Sequence, residues 1–301
     1  MVHLTLKNGK NQLCAAETDC ITETPFQRKY RNRIRAGDKP GCVLRLLRNR
    51  SDGQNRKDQA MKISTSPHRS FRMYGMEEGM SNTPEKTFRA AIFDLDGTLA
   101  YTVGDLLACM NRMLAQYGYP QKTYEEIMSY ISCGERDFVK FSLPEELQED
   151  DERIETCRAA YVSIYNKHFL DTTVLYPGLD KLLHDMKAAG IRLAVNTNKT
   201  QEHAQAIIDK LAPGIFEMLK GDGHYPCKPD PTGALEIAAE FGLTPDEICY
   251  IGDSNIDMET AGNAGMFAMG VKWGYRPDVL KAAGAKILVE TAEEIAPWFG
   301  L

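Results

Sequence analysis

The stretch Ala90-Ala91-Ile92-Phe93-Asp94-Leu95-Asp96-Gly97-Thr98-Leu99 decides how this chain folds. Ala90 to Phe93 is an uninterrupted apolar run of the length of a short buried strand. It ends in two aspartates with one residue between them. Residues i and i+2 of an extended segment point to the same side, so Asp94 and Asp96 face one site together. Two carboxylates that close repel each other and raise one pKa unless a cation lies between them. Gly97 then lets the chain turn sharply at small steric cost. The rest of the chain must supply a cation and the partners such a site needs.

Downstream, an α/β rhythm is interrupted once. Residues 102–174 read as helices: Val103 to Tyr117, Tyr124 to Ile131, Glu135 to Phe141, and a longer one from Pro144 through Ile154, Cys157 and Tyr161 to about Phe169. This insertion holds no convincing strand, and its Tyr, Met and Leu positions read as its own core. Strands are predicted over 191–195, 216–219, 248–251, 266–270 and 286–289. Between them lie helices over 179–189, 201–211 and 232–241, one reaching Ala264, one near 277–283, and a last one from Ala292. Gly221-Asp222-Gly223-His224 reads as a turn. Alternating strands and helices imply a doubly wound, Rossmann-like parallel sheet covered on both faces, built from 88–101 and 175–301.

Upstream, residues 1–79 are a different kind of sequence. They carry 16 Lys+Arg and 8 Asp+Glu, a net of +8, whereas residues 80–301 carry the other 20 and 34, a net of −14. Basic clusters at 28–35 and 45–50 raise the possibility of a nucleic-acid tail, and the low apolar content that of disorder. A third reading fits better. Glu77-Glu78-Gly79 implies a purine-rich run in the gene ahead of Met80, like a bacterial ribosome-binding site. The natural start is therefore expected at Met80, less favourably Met76, with 1–87 a spurious or disordered extension and no nucleic-acid partner. The chain has 43% hydrophobic and 26% charged residues, the balance of an ordinary globular protein. There is no apolar run long enough for a bilayer and no secretory leader. Eight scattered cysteines without a C-x-x-C pair argue for reduced thiols in the cytoplasm and against zinc.

Ligands of open parallel sheets bind at the carboxyl ends of the strands. Three predicted strand ends carry polar residues: Asp94 and Asp96, Thr197 and Asn198, and Asp253-Ser254; a loop adds Lys228. Singly, each has a plainer explanation: turn-forming aspartates, a helix-capping Thr197, a solvated Lys228, and Asp257 favouring a helix N-terminus. Together they lie where one pocket must form.

Asp94-Leu95-Asp96-Gly97-Thr98-Leu99, Thr197-Asn198, Lys228-Pro229 and Gly252-Asp253-Ser254-x-x-Asp257, in this order, resemble the four motifs of the haloacid dehalogenase-like hydrolase superfamily. The helical insertion resembles that superfamily's α-helical cap. Tyr176-Pro177-Gly178 and Asn196-Thr197-Asn198-Lys199 resemble the phosphoglycolate phosphatase-like branch. The resemblance spans 88–301. One departure is Tyr101-Thr102, where relatives often carry Asp-Ser or Asp-Thr.

The resemblance implies a Mg²⁺-dependent phosphatase acting on a small phosphorylated metabolite, 2-phosphoglycolate first, through an aspartyl-phosphate. Asp94 would be the nucleophile and Asp96 the acid and then the base. Asp94 and Asp253, with the Asp96 backbone carbonyl, would hold the metal. Asp257 would act through a metal water or orient Lys228. Thr197, the Asn198 amide and Lys228 would hold the phosphoryl oxygens. Ser132-Cys133-Gly134-Glu135-Arg136 resembles the specificity loop, where Arg136 or Lys140 would reach an anionic substrate, against the plainer reading of a charged helix surface. Asp96 argues for phosphate esters, since the superfamily's dehalogenases and phosphonatases lack an acid there. A hexose-phosphate mutase and an inorganic pyrophosphatase are the alternatives within the enzymes, and a catalytically silent binding module lies outside them. A monomer or homodimer is expected.

Overall fold

A computed structural model describes residues 87–131, 134–223 and 226–301. The expectations for 1–79 and the Met80 start, for Ser132 and Cys133, and for His224 fall outside the described residues.

The centre of the sheet is β1 (Ala90–Phe93), all four of whose residues are fully buried. It pairs in parallel with β4 (Arg192–Thr200) on one side and β6 (Ile248–Gly252) on the other. With β5 (Met218–Asp222), β7 (Phe267–Val271) and β8 (Ile287–Val289) the order is β5-β4-β1-β6-β7-β8, every pair parallel. Chain order thus runs outward from β1 to β5, then restarts beside β1 at β6 and runs outward the other way. That reversal opens a crevice at the carboxyl ends of β4, β1 and β6. The core helices are α5 (Leu179–Ala188), α6 (Gln201–Leu211), α7 (Thr232–Phe241) and α8 (Asn255–Asn263). Ala234, Ile237 and Phe241 of α7 bury their faces with Ile92, Ala194 and Tyr250 of the sheet. The fold is the doubly wound parallel core with a helical insertion.

Six local expectations are corrected. The span 102–174 is not free of strand: β3 (Val174–Leu175) pairs antiparallel with β2 (Ala100–Tyr101) where the chain leaves and re-enters the core. Two-residue strands are too short to show a period. The long cap helix starts at Asp151, not Pro144, because the Asp150 side chain accepts the Arg153 N–H at 3.0 Å and caps it there; Pro144 opens only a 3₁₀ turn, Glu145–Leu147. The second core strand runs to Thr200, beyond Val195, and the 216–219 strand lies at Met218–Asp222. Residues 277–284 form successive turns rather than a helix. The C-terminal segment is two 3₁₀ turns, Ala292–Glu294 and Ala296–Phe299, since Pro297 has no N–H to continue a helix.

The insertion comprises α1 (Val103–Gln116), α2 (Tyr124–Tyr130), α3 (Glu135–Ser142) and α4 (Asp151–His168). They enclose a small core that includes Met110, Met113, Ile127, Phe138, Ile154, Cys157 and Tyr161. Its two ends are clasped together by Asp105. That buried carboxylate accepts from the N–H groups of Thr172 at 2.9 Å and Thr173 at 3.0 Å, and from their hydroxyls at 2.6 and 2.8 Å. Asp105→Ala would leave the buried Thr173 N–H without its acceptor, and we expect a loss of about 2 kcal/mol in urea unfolding. An unchanged midpoint would show that the clasp contributes nothing.

Candidate active site

The carboxyl end of β1 is held from both sides. The Asp94 N–H donates to the Ile251 carbonyl at 2.9 Å, which fixes the aspartate beside β6. The chain then turns at Gly97, whose φ is +87°. A Cβ there would lie 2.3 Å from Asp253 Oδ2, so a side chain is excluded by conformation and by space. At Gly252 space alone excludes a side chain, since a Cβ there would lie 2.3 Å from the Asp257 Cβ.

Three buried carboxylates meet here. Oxygens of Asp94, Asp253 and Asp257 lie within 4.8 Å of one another. Asp253 is fixed by the Thr98 hydroxyl on Oδ1 at 3.1 Å and the Tyr275 N–H on Oδ2 at 2.6 Å. Asp257 Oδ2 accepts from the Ser254 N–H at 3.0 Å and hydroxyl at 2.6 Å. The Ser254 hydroxyl in turn accepts the Asp257 N–H, a reciprocal cap that starts α8. Lys228 Nζ donates to Asp94 Oδ1 at 2.7 Å and Asp257 Oδ1 at 2.6 Å. Its loop is gripped by Asn198, which accepts the Lys228 N–H at 2.7 Å and donates to its carbonyl at 3.1 Å.

One ammonium among three buried carboxylates leaves a deficit of positive charge. Burial first, and then the neighbouring carboxylates, against the pull of Lys228, raise Asp94 to about 7. Burial, Asp257 and Asp94 raise Asp253 well above the usual carboxylate range. Burial alone would lower Lys228, but Asp257 and Asp94 outweigh it and hold the ammonium charged. An all-oxygen set short of positive charge suits a hard divalent cation such as Mg²⁺.

Asp96 stands apart from this cluster. Its Oδ1 accepts from the Thr102 hydroxyl and pairs with Lys199 Nζ at 3.1 Å. The Tyr275 hydroxyl accepts from the N–H groups of Thr102 at 3.0 Å and Val103 at 3.1 Å, at the start of α1. Asp94, Asp96, Thr197, Asn198 and Lys228 all line one cavity between the sheet end and the cap.

A family model described as haloacid dehalogenase-like hydrolase matches residues 91–271. The chain belongs to the haloacid dehalogenase-like hydrolase family. It is an enzyme, a phosphatase of that family. A phosphoglycolate phosphatase of Pseudomonas putida (strain KT2440) is 30% identical over 217 residues, which are 69% of this chain and 79% of that protein. Phosphoglycolate phosphatase 1 of Pseudomonas aeruginosa (strain PAO1) is 32% identical over 193 residues, 62% of this chain and 70% of that protein. A solved structure from Lactobacillus delbrueckii subsp. bulgaricus, provisionally named phosphoglycolate phosphatase, is 28% identical with a TM-score of 0.66, covering 71% of this chain and 98% of its own.

For this haloacid dehalogenase-like hydrolase the motif residues converge. The side-chain cluster that could hold a metal is Asp94, Asp253 and Asp257, and Asp257 also takes the Lys228 hydrogen bond at 2.6 Å. The Asp96 carboxylate lies apart from it, on Thr102 and Lys199. Arg136 and Lys140 are not brought to the cavity: Arg136 pairs with Asp151 at 2.5 Å and Glu155 at 3.2 Å, and Lys140 with Glu149 at 2.9 Å. Sequence reasoning did not assign Lys199, Thr102, Tyr275 or Ser254. The Ser254-x-x-Asp257 spacing is a capping signal that could have found Ser254. Tyr275, far from any motif, gives no such signal.

A raised carboxylate pKa in the folded state contributes stability below the unfolded value that is lost as pH rises through the folded value. Without metal, the contribution of Asp94 should therefore fall between its ordinary 3.8 and about 7. We expect urea unfolding in chelator to show that decline, Asp94→Asn to flatten it, and added Mg²⁺ to restore stability at the upper end. A wild-type profile parallel to that of Asp94→Asn would refute the charge imbalance.

Proposed function

We propose that this chain is a cytoplasmic, Mg²⁺-dependent phosphomonoesterase that hydrolyses a small phosphorylated metabolite through an aspartyl-phosphate on Asp94. The unequal surroundings of Asp94 and Asp96 carry this reading. Asp94 sits in the carboxylate cluster with Lys228 on one oxygen. Asp96 sits outside it on the same cavity, held by Thr102 and Lys199. Asp94, Asp253 and Asp257 would hold the Mg²⁺, whose chemistry is to neutralise charge on the phosphoryl oxygens.

In this mechanism an Asp94 carboxylate oxygen attacks phosphorus and the bond to the leaving oxygen breaks. Asp96 gives that oxygen its proton, so the alcohol leaves neutral. Asp96, now a carboxylate, takes a proton from water as the water oxygen attacks phosphorus. The Asp94 oxygen–phosphorus bond breaks, and free phosphate and both starting groups are restored. Thr197, the Asn198 N–H and Lys228 hold the equatorial oxygens, where transition-state charge spreads. Lys228 also lessens repulsion between the nucleophile and the anionic ester. The relatives' names make 2-phosphoglycolate the first ester to assay.

The test is a panel of phosphate esters with Mg²⁺ and with chelator. Turnover should need the metal, and Asp94→Asn should lose at least about 10³-fold in kcat. Equal turnover by that variant would overturn the nucleophile, and conversion of a hexose phosphate to its isomer would point to a mutase instead. Asp96→Asn should lose about 10²- to 10⁴-fold on an alkyl ester. Read in kcat/KM, which reports the steps up to departure of the leaving group and not the later water attack, its loss on p-nitrophenyl phosphate should be far smaller, because that leaving oxygen needs no proton; equal losses in kcat/KM would remove the acid role.

A further inference from the structure

Two lysines line the cavity over Asp94 and Asp96, and their ammonium groups are not equally engaged. Lys228 Nζ donates to Asp94 and Asp257, so two of its three N–H bonds are spent on carboxylates. Lys199 stands near the carboxyl end of β4, with a side chain only 7% exposed. Among the described residues its one anionic partner is Asp96, at 3.1 Å on Oδ1. The same ammonium lies 5.2 Å from the centroid of the Tyr165 ring on cap helix α4. A ring face attracts a cation but is no carboxylate, so Lys199 keeps donors for whatever occupies the cavity.

Position decides what that occupant is. In the proposed reaction Asp96 gives a proton to the leaving oxygen, which must come within about 3 Å of its carboxyl. Lys199 is held to that same carboxyl and to a ring of the cap, so its ammonium borders the leaving group rather than the phosphoryl group. In an ester whose carboxylate is one carbon from the ester oxygen, the anion lies only about 3 Å from that oxygen by standard bond lengths. An anion so close to the leaving oxygen falls in the shell around Asp96 where Lys199 lies.

Among the described residues the cap supplies no competing cation to this cavity. Arg136 and Lys140 are tied to Asp151, Glu155 and Glu149 and do not line it. The Arg158 guanidinium is on Glu135 Oε1 at 2.9 Å, so the carboxylate that the cap does present is already balanced. His203 lines the cavity, but burial and Lys199 lower its pKa, and its ring nitrogens are engaged by Thr200 at 2.7 Å and Asn166 at 2.6 Å. Recognition of a leaving-group anion therefore falls on a strand end of the core.

We propose that Lys199 is a specificity-determining residue that favours phosphomonoesters of 2-hydroxy acids, whose carboxylate is one carbon from the ester oxygen, over neutral esters of the same shape. This rests on the phosphatase reading and narrows its substrate class. The carboxylate takes the donors of Lys199 that Asp96 does not use, and Glu135, met by Arg158, does not oppose it.

The test compares 2-phosphoglycolate with the phosphate ester of glycolamide, in which an amide replaces the carboxylate without change of shape. We expect wild type to favour the carboxylate ester at least about 10-fold in kcat/KM, the scale of one hydrogen bond to a charged group. Lys199→Met should bring that ratio near one, Lys199→Arg should keep most of it, and Arg136→Gln should leave it unchanged. A loss common to both esters reports the contact with Asp96, whereas the ratio reports the leaving group alone. In parallel, calorimetry in Mg²⁺ compares 3-phosphonopropionate with its amide, which are bound without being hydrolysed. Tighter binding of the acid by wild type, lost in Lys199→Met, supports the proposal even if neither ester turns over, a result that would sink the phosphatase reading alone. A wild-type ratio near one, equal fractional losses on both esters in Lys199→Met, or, where no ester turns over, binding of neither phosphonate overturns the proposal.

Discussion

Lys228 lies between two buried carboxylates with a third close by, and the centre of the molecule is arranged around that shortage of positive charge. Such a cluster persists in a folded protein only if each oxygen is held by something rigid. The holders come from separate parts of the chain: Thr98 after β1, Ser254 at the start of α8, Tyr275 after β7, and Asn198 gripping the Lys228 loop. What brings them together is topology. With β1 between β4 and β6, the ends of three strands far apart in sequence become neighbours. Mutual repulsion is then built into the native state, and a cluster that would be a defect in an ordinary core is what the proposed seat for a divalent cation and an anionic ester requires.

The same network reaches the base of the cap. Tyr275 donates its N–H to Asp253 and accepts at its hydroxyl from the first residues of the cap's entry helix. Thr102 in turn donates to Asp96. The candidate acid, a candidate metal ligand and the start of α1 therefore share one chain of hydrogen bonds. Displacing the start of α1 would strain the Asp96 contact and the Asp253 contact together. With Asp105 clasping the other end of the insertion, the cap is tied to the site at its root and free to differ at its far wall.

What could be read from sequence follows from range. Helices α6 and α7 are read to the residue because Pro213-Gly214 and Pro231 with Gly242 punctuate them locally. β1 and β6 are legible because a strand buried on both faces is apolar throughout. Strands β2 and β3 were not, since two residues carry no period and their pairing spans the whole insertion. The start of α4 depended on Asp150 capping rather than on Pro144, a choice between two valid local signals. In the site, residue types and order identified Asp94, Asp253, Asp257 and Lys228. Which carboxylates form the cluster depends on side-chain direction after a tight turn, which places Asp257 inside and the Asp96 carboxylate outside. Arg136 and Lys140 show the limit for charges: a basic residue in sequence does not disclose whether it meets a substrate or Asp151, Glu155 and Glu149.

The two walls of the cavity divide the work of recognition. The proposed nucleophile, cation seat and phosphoryl clamp all lie at or beside strand ends whose positions the sheet fixes. The opposite wall of the cavity is supplied by helices that contribute nothing to the sheet. Substitutions there can change what is bound without disturbing the charge balance beneath. Lys199 is the point where this separation fails: it lines the cavity, pairs with Asp96 and sits 5.2 Å above the Tyr165 ring. Lys199 beside Asp96 favours the ionised carboxylate, the form that takes a proton from water, so whatever draws on Lys199 also shifts the proton balance of Asp96.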